Sequence, residues 1–551
     1  MIDFNAHPTI GQALFEAARR WDDRPFLAVP AHAQRRYWPQ GVEWTFADVA
    51  ERVRELAQRY AQAGYGDGHR VGVLLDNRPE HFLHKLAMNH VGVCCVPLNP
   101  DHRPREMAYV IEHTRMDMIM AVPDLMPLLE QALQASAHRP PVILLDHAGD
   151  WPAPAQRATV FEATPQSIAS VLYTSGTTGR PKGCMLSHRY ELAAGAWYVS
   201  RGGLATFEEA CERIYNPLPV FHVNSSVFSL FCALLKGNCQ IQADRFQASR
   251  WFTEVHESRA TVIHYLGVVV PVLLNQAAHP LERAHQVKFG IGAGIDPQRH
   301  AEFEQRFGYP LVEIWGMTEW VRAVIDADEP RRVGTRAFGR VQPGMEIRIV
   351  DDQDQDVADG LPGELVVRHS ADAPRHDCFS GYLDDPEATE QAWRGGWFHT
   401  GDIVTRDPDG LLHFVERRKN IIRRSGENIA AAEVEAVLQS HPRVAQAAVL
   451  AVPDELREEE VLACLVLKPG VTAPTQADDV LIADLLSHCN AQMAYYKSPG
   501  WLWFTTEIPV TGTQKMQKHQ IFEPGTDPRQ TSGMIDLRAK KSRTATRPTP
   551  P

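Results

Sequence analysis

Hydroxyl side chains, glycines and one lysine are concentrated in a single short stretch of the sequence. The ten residues TSGTTGRPKG, from Thr174 to Gly183, contain three glycines, three threonines, one serine and one lysine. Glycines let backbone amides approach an anion closely, hydroxyls add neutral donors, and the lysine adds a mobile positive charge. The stretch therefore predicts a loop that binds phosphate groups. A plain surface turn is the alternative on composition alone.

The stretch differs from the P-loop pattern G-x-x-x-x-G-K-[ST] at two positions. Counting from Gly176, the sixth residue is Pro181 instead of glycine, and Lys182 is followed by Gly183 instead of a hydroxyl residue. In a P-loop that hydroxyl holds magnesium. The sequence therefore disfavours a kinase or a P-loop NTPase.

The elements that position this loop follow an alternating pattern. Apolar spacing after Thr45 predicts a helix that opens with a Thr45–Asp48 capping box and ends at Gly64. The run ASVLYTS predicts a buried strand, so the loop follows the carboxyl end of a strand, where ligands of α/β folds bind. We expect an α/β fold, with parallel sheets covered by helices in a large N-terminal domain.

The pattern changes near residue 415, where five basic residues lie between 417 and 424 and a shorter α+β pattern follows. We predict an N-terminal domain over 1–415, a hinge over 416–420 and a small mobile α+β domain over 421–524. Residues 525–551 lack apolar periodicity, and we expect a disordered tail there.

The composition limits the class of protein. The 551 residues include 44% hydrophobic and 23% charged residues, with a net charge of −12, so no nucleic-acid partner is expected. Nine cysteines without a C-x-x-C pair favour buried, reduced thiols over zinc ligands or disulfides. The N-terminus lacks a signal-peptide pattern, and no apolar run reaches the ~20 residues of a bilayer span. We expect a cytoplasmic protein without a membrane segment.

YTSGTTGRPKG resembles the signature of the adenylate-forming superfamily, which includes acyl-CoA synthetases, adenylation domains of peptide synthetases and luciferases. Further stretches resemble that family's motifs in the same order: NPLPVFHVNS at 216–225, GAG at 292–294, IWGMTE at 314–319, WFHTGD at 397–402, ERRKNIIRRSGENI at 416–429 and TGTQK at 511–515. The resemblance covers roughly residues 10 to 522. The segments FHV and RRSGENI are most similar to bacterial carnitine/crotonobetaine-type CoA ligases.

The resemblance implies a two-step reaction. A carboxylate attacks the α-phosphate of ATP, pyrophosphate leaves, and the thiol of coenzyme A then displaces AMP from the acyl-adenylate. The implied ligands are ATP, Mg²⁺, coenzyme A and a small carboxylic acid, and a homodimer is left open. Because negative charge builds on phosphate oxygens, positioned donors and cations should dominate catalysis.

The resemblance also assigns roles to the phosphate-facing residues. Those in the first loop that would bind ATP are Thr174, Ser175, Gly176, Thr177, Thr178, Gly179 and Lys182. Glu319 would be the magnesium ligand, with Thr318 near the α-phosphate. A surface carboxylate is the alternative for Glu319. Lys515 would bridge the carboxylate and the α-phosphate in the first step, although an exposed lysine is the alternative.

The nucleoside is assigned by resemblance to three further segments. The backbone of Gly292, Ala293 and Gly294 would approach the purine, and the segment Trp315, Gly316 and Met317 would cover it. The alternative for Trp315 is a core tryptophan. Asp402 would accept hydrogen bonds from both ribose hydroxyls, and Arg417 would donate to the same ribose.

Three assignments concern the hinge and the acyl pocket. Rotation at Lys419 would withdraw Lys515 and bring Gly426 to the active site for the thioester step. His222 would gate the carboxylate, and the absence of a fixed negative charge there argues against an amino-acid substrate. A structural histidine is the alternative. Gln514 replaces the glycine that usually precedes Lys515, which weakens that assignment.

The favoured function is an ATP-dependent carboxylic acid–CoA ligase. A free-standing enzyme that loads a carrier protein and a non-catalytic acyl or nucleotide sensor are the alternatives. The sequence does not identify the acid. Apolar pocket segments favour a fatty or aromatic acid, and a carnitine-like zwitterion also fits because aromatic rings hold quaternary ammonium groups.

Overall fold

The computed structural model describes residues 1–174, 181–424, 427–455, 457–477, 479–510, 516–523 and 525–541. Several residues named above lie outside the described residues: Ser175, Gly176, Thr177, Thr178, Gly179, Gly426 and Lys515. The side chain of Lys419 is also outside them. The chain forms two compact units. The first unit comprises Met1–Ile347, Val366–His399 and Asp407–His413, and the second comprises Arg348–Leu365, Thr400–Arg406 and Phe414–Pro551.

Helices and strands alternate along the first unit. The helices are α1 (Ile10–Arg20), α2 (Phe46–Ala63), α3 (Glu80–His90), α4 (Pro104–Thr114), α5 (Met126–Ala135), α6 (His188–Val199), α7 (Leu230–Lys236), α8 (Trp251–Glu257), α9 (Val269–Leu274), α10 (Pro297–Phe307), α11 (Pro386–Ala392), α12 (Ala431–Gln439) and α13 (Val480–Gln492), the last two in the second unit. A π-helical turn spans Asn224–Ser229.

The strands are β1 (Pro25–Val29), β2 (Val42–Thr45), β3 (Arg70–Leu74), β4 (Cys94–Pro97), β5 (Met118–Ala121), β6 (Val142–Leu144), β7 (Ile168–Thr174), β8 (Lys182–Ser187), β9 (Arg213–Asn216), β10 (Cys239–Gln242), β11 (Val262–Leu266), β12 (Phe289–Ala293), β13 (Leu311–Met317), β14 (Trp320–Ile325), β15 (Ala337–Arg340), β16 (Glu346–Val350), β17 (Gly363–Arg368), β18 (Phe398–Arg406), β19 (Leu411–Arg417), β20 (Ile421–Arg424), β21 (Glu427–Ala430), β22 (Val444–Asp454), β23 (Glu458–Leu467), β24 (Trp501–Phe504) and β25 (Ile535–Asp536).

Two mainly parallel sheets form the first unit. One has the order β6-β5-β3-β4-β7-β8, with only the last pair antiparallel. The other has the order β14-β13-β12-β11-β9-β10-β1-β2, with antiparallel pairs at its two edges. Most residues of their inner strands are buried, because helices cover both faces of a parallel sheet. The predicted α/β class is confirmed, with antiparallel edge strands added.

A five-stranded sheet has the order β15-β19-β18-β17-β16. The second unit has a mixed sheet with the order β21-β20-β23-β24-β25, in which β22 also pairs with β23. Apolar faces of α12 and α13 pack on the buried side of this sheet. This is the α+β pattern that the sequence predicted for the C-terminal region.

Several local predictions from the sequence agree with the structure. Thr45 Oγ1 accepts from the amide of Asp48 at 3.1 Å, the Asp48 carboxylate accepts from the Thr45 amide, and Gly64 ends α2 with a φ of 102°. All nine cysteines are free, and every one except Cys211 is buried. The described part of the chain contains no helix of the length and apolarity that a bilayer crossing requires.

The expected disorder from residue 525 onward is wrong over residues 525–541. Strand β25 pairs with β24 in the register Leu502↔Ile535, and the side chains of Ile535 and Leu537 are buried. Arg538 forms an ion pair with Asp454 at 3.1 Å. Two buried apolar side chains and strand pairing hold the segment, and so short a contact leaves no periodicity in the sequence. Residues 542–551 lie outside the described residues.

Candidate active site

The β7–β8 hairpin bounds the predicted phosphate loop. Thr174 ends β7 and lies opposite Lys182, the first residue of β8, so the loop starts and ends at one fixed position. Both residues are half-buried. The Lys182 ammonium lies 4.7 Å from the centroid of the Tyr382 ring. Among the described residues, no carboxylate lies within ion-pair distance of Lys182, so a positive charge at the end of the loop is left for an anion.

Glu319 lies in the tight turn between β13 and β14, where the Tyr190 hydroxyl donates to the carbonyl of Thr318 at 2.7 Å. Its side chain is buried, and Glu319 Oε1 accepts a hydrogen bond from the Tyr382 hydroxyl at 3.0 Å. The described residues place no lysine, arginine or histidine within ion-pair distance of this carboxylate. A buried carboxylate without a counter-charge is costly, and a bound cation would relieve that cost.

Burial fixes the protonation of the groups around Glu319. Desolvation, with the negative charge of Glu319 as the next cause, raises the pKa values of Tyr382 and Cys184 well above their usual range. Both groups therefore stay neutral at physiological pH, and Tyr382 remains a donor. The sequence reasoning missed Tyr382. Its only local signal is the turn-rich stretch SGYLDDPE around it.

The implied magnesium fits the chemistry of Glu319. Mg²⁺ prefers hard oxygen ligands and usually takes one or two carboxylates together with phosphate oxygens and waters. The turn supplies one oriented carboxylate without a competing cation in the described part of the chain. Glu319 is the residue that would hold the ion.

The GAG segment lies at the carboxyl end of β12. A Cβ on Gly292 would lie 2.1 Å from the carbonyl oxygen of Tyr265, so only glycine fits there. Gly294 has a φ of 83°, and its amide donates to Glu313. Ala293 and Gly294 are exposed, so this backbone is open to a ligand.

Glu313 anchors this backbone from β13. It accepts from the amides of Gly294 and Ile295 and from the Tyr265 hydroxyl, and burial raises the pKa of Glu313 to about 7. The sequence reasoning also missed Glu313. The signal was a single carboxylate inside the apolar run LVEIW.

Trp315 is buried in β13, and its ring centroid lies 6.0 Å from that of Phe338. This burial agrees with the core tryptophan that the sequence left open, and the role at the adenine stays a prediction. Gly316 is exposed and Met317 is half-buried. The motif thus offers its glycine, rather than its tryptophan, to solvent.

His222 lies in the turn before the π-helical segment. Its carbonyl accepts from the Ser226 hydroxyl at 2.9 Å, and its ring lies beside that of Phe221, with 4.7 Å between the centroids. The ring is half-buried. The backbone of His222 therefore has a structural role, and a role for its imidazole in gating the acid stays a prediction.

In the second unit, the structure brings together the two residues predicted to bind ribose. Arg417 Nε lies 2.7 Å from Asp402 Oδ1, in an ion pair whose carboxylate is buried and whose guanidinium is partly exposed. The Glu416 carboxylate accepts from the amides of Arg417 and Ala432, which ties the end of β19 to the start of α12. The backbone of Lys419 lies in the 3₁₀ turn Arg418–Asn420.

Known proteins are similar to this chain over most of its length. Residues 14–383 match the family model described as AMP-binding enzyme, and residues 433–515 match the AMP-binding enzyme C-terminal domain. The sulfoacetate–CoA ligase of Cupriavidus necator is 29% identical over 93% of this chain and 97% of its own. The crotonobetaine/carnitine–CoA ligase of Salmonella agona is 27% identical over 87% of this chain and 93% of its own.

Solved structures share the fold. The ATP-bound MatB of Rhodopseudomonas palustris aligns with a TM-score of 0.76 at 24% identity, covering 93% of this chain and 98% of its own. The amide bond synthetase McbA of Marinactinospora thermotolerans aligns with a TM-score of 0.73 at 26% identity, covering 92% and 99%.

Proposed function

The chain belongs to the AMP-binding enzyme family, and on this premise we propose that it is an AMP-forming carboxylic acid–CoA ligase. In this reaction a carboxylate and ATP give an acyl-adenylate and pyrophosphate, and coenzyme A then gives the acyl-CoA and AMP. The similarity to two CoA ligases over most of their length supports the thiol as the acceptor.

The arrangement of Lys182, Tyr382 and Glu319 carries the proposal. A lysine without a carboxylate partner and a buried carboxylate without a cationic partner, both within the described residues, contact one tyrosine. A triphosphate with its cation supplies the missing partner of each. A surface turn and a surface carboxylate, the alternatives from sequence, would leave both groups in solvent, whereas Lys182 is half-buried and Glu319 is buried.

The substrate carboxylate is itself the nucleophile of the first step. The protein therefore needs to position charged groups around the reacting atoms and does not need to supply a nucleophile of its own. We assign Lys182 to the phosphates, Glu319 to the cation and Lys515 to the junction between the carboxylate and the α-phosphate. Magnesium, when bound, neutralises phosphate charge and orients the oxygens. Tyr382 holds the Glu319 carboxylate in one orientation, which keeps that ligand preorganised.

The nucleoside contacts follow the same logic. The Gly294 backbone, fixed by Glu313, is assigned to the purine, and the phosphate loop closed by the β7–β8 hairpin receives the other end of ATP. Asp402, oriented by Arg417, is assigned to the ribose hydroxyls because a carboxylate offers two acceptor oxygens. Rotation about residues 416–420 between the steps stays part of the proposal.

An acyl-adenylate passed to another nucleophile, such as a carrier protein, is a second candidate, since an amide bond synthetase is among the structural neighbours. We place the enzyme in the cytoplasm because ATP and coenzyme A are available there. The native mass of the protein in solution will show whether it forms a homodimer.

The test is a screen for pyrophosphate release over carboxylic acids, with and without coenzyme A. We expect release with at least one acid, and a thioester only when coenzyme A is present. Lys515→Ala should lower the release rate by at least about a hundredfold. Lys468→Ala, an exposed lysine of the same unit, is the matched control. Pyrophosphate release that yields no thioester even with coenzyme A present would favour the carrier-protein candidate, and no release with any acid would overturn the proposal.

A further inference from the structure

A histidine and two carboxylates, none of them among the candidate active-site residues, converge at the carboxyl end of two neighbouring strands of the eight-stranded sheet. His32 follows β1 and Asp244 follows β10, and these strands are parallel neighbours in the register Leu27↔Gln240. The carboxyl ends of the two strands therefore bring the two residues to the same edge. Glu254, from α8, lies beside them.

The donor atoms of these residues lie close together. All three lie within 4.8 Å of one another, and His32 Nδ1 lies 3.6 Å from Asp244 Oδ2. That separation is long for a hydrogen bond. Zinc–nitrogen and zinc–oxygen bonds of about 2.0–2.2 Å at a tetrahedral angle put neighbouring ligand atoms about 3.4 Å apart. The observed distance is close to that value.

His32 gives an independent indication of a missing ligand. Its side chain is nine-tenths buried, with 10% exposed, and Nδ1 has no hydrogen-bond partner among the described residues. A buried polar atom of this kind is costly unless a partner is present. Nδ1 faces the Asp244 carboxylate, so the position between them is where that partner would bind.

Neighbouring side chains already orient the two carboxylates. Arg35 donates to Asp244 Oδ1 at 3.4 Å, and Arg250 donates to Glu254 Oε1 at 2.8 Å. The Tyr215 hydroxyl donates to Glu254 Oε2 at 2.7 Å. Ligating carboxylates in metal sites are typically held by such outer hydrogen bonds. The two guanidinium charges reduce the affinity for a dication, so we expect micromolar rather than nanomolar binding.

We propose that His32, Asp244 and Glu254 form a divalent metal site that takes Zn²⁺, separate from the Glu319 position. The mixed nitrogen and oxygen ligands favour zinc over magnesium, which prefers oxygen alone. Asp244 is 22% exposed, which leaves an entry path and a coordination position for water. The ion would join the loop after β1 to the loop after β10, so its role is structural.

The test uses the full-length protein, stripped with a chelator and then titrated with Zn²⁺ in excess Mg²⁺ without nucleotide. We expect uptake of a zinc ion that is lost in Asp244→Asn, a substitution that keeps the side-chain shape and an acceptor for Arg35. His32→Ala should lose the same ion. Tyr215→Phe should weaken binding about tenfold, since it removes an outer hydrogen bond.

His413→Ala is the matched control, because His413 pairs with the single carboxylate of Asp407. Cobalt substitution gives a visible spectrum that reports the ligands independently of activity, and this spectrum should change in Asp244→Asn and persist in the control. The proposal is overturned if the native chain takes up no zinc, or if zinc stoichiometry and affinity are the same in the native chain, Asp244→Asn and His32→Ala.

Discussion

Tyr382 donates a hydrogen bond to Glu319 across 3.0 Å, although 63 positions separate the two residues in sequence. The same ring receives the ammonium of Lys182 on its face. One neutral tyrosine therefore connects the carboxylate assigned to the cation with the lysine assigned to the phosphates. This relationship makes the assignments testable one contact at a time.

Tyr382→Phe keeps the ring beside Lys182 and removes only the hydroxyl that orients Glu319. A hydrogen bond to a charged group contributes about 1.5–3 kcal/mol, so the rate of pyrophosphate release should fall about tenfold to a hundredfold. The control is Tyr65→Phe, whose hydroxyl donates to the Pro152 carbonyl instead. A wild-type rate in Tyr382→Phe would remove this tyrosine from the mechanism.

Glu319→Gln tests the assignment of the cation. The neutral amide is a poorer ligand for a hard dication, so the Mg²⁺ concentration that gives half-maximal pyrophosphate release should rise at least about tenfold. Glu302→Gln changes an exposed carboxylate on α10 that pairs only with a surface arginine within the described residues, and should leave this concentration unchanged. An unchanged Mg²⁺ dependence in Glu319→Gln would contradict the assignment.

Four buried histidines predict acid sensitivity. Burial lowers the pKa values of His81, His84, His188 and His264 to about 3. These folded-state pKa values lie below the unfolded-state pKa of about 6.5, so acid protonates the histidines more readily in the unfolded chain. The folded state is therefore most stable above pH 6.5 and loses stability as the pH falls toward 3.

Lowering the pH from 7.5 to 5.5 should reduce the free energy of unfolding by about 1.4 kcal/mol for each of these histidines. His264→Phe retains a ring beside Tyr198 but has no imidazole to protonate. Its free energy of unfolding should therefore fall by about 1.4 kcal/mol less than that of the native chain over the same pH interval. Urea denaturation at the two pH values measures the difference. An equal loss in the variant and the native chain would show that His264 is not buried in its neutral form.

Lys85 and Glu191 form a fully buried ion pair at 2.8 Å. Glu191→Ala leaves the lysine uncompensated and should destabilise the protein by about 3–5 kcal/mol. The double variant Lys85→Met, Glu191→Leu removes both charges and should recover most of that loss. Thermal unfolding measures the stability of the single and double variants. A double variant that is no more stable than Glu191→Ala would argue against a buried charge pair.

The C-terminal segment provides a prediction about truncation. Removing residues 525–551 exposes the β24 edge and deletes buried Ile535 and Leu537, so the unfolding temperature should fall by several degrees. Removing only residues 542–551 is the matched control and should leave the unfolding temperature unchanged. Equal unfolding temperatures for the two truncations would restore the interpretation of a tail without structure from residue 525.

The sequence predicted the elements whose signal is local. The Thr45–Asp48 capping box, the strand before the phosphate loop and the α+β pattern of the C-terminal region depend on neighbouring residues and on apolar periodicity. Tyr382 and Glu313 were missed because their roles come from contacts across the fold, which no spacing records. The strand at Ile535 was missed because two apolar residues produce no period.

The proposed first step is the attack of a substrate carboxylate on the α-phosphorus of ATP. An acid that supports turnover, labelled with ¹⁸O in both carboxylate oxygens, tests this directly with coenzyme A present. We expect one ¹⁸O atom in the phosphate of the AMP product and one in the thioester carbonyl. Labelled inorganic phosphate with ADP, or AMP without the label, would contradict it.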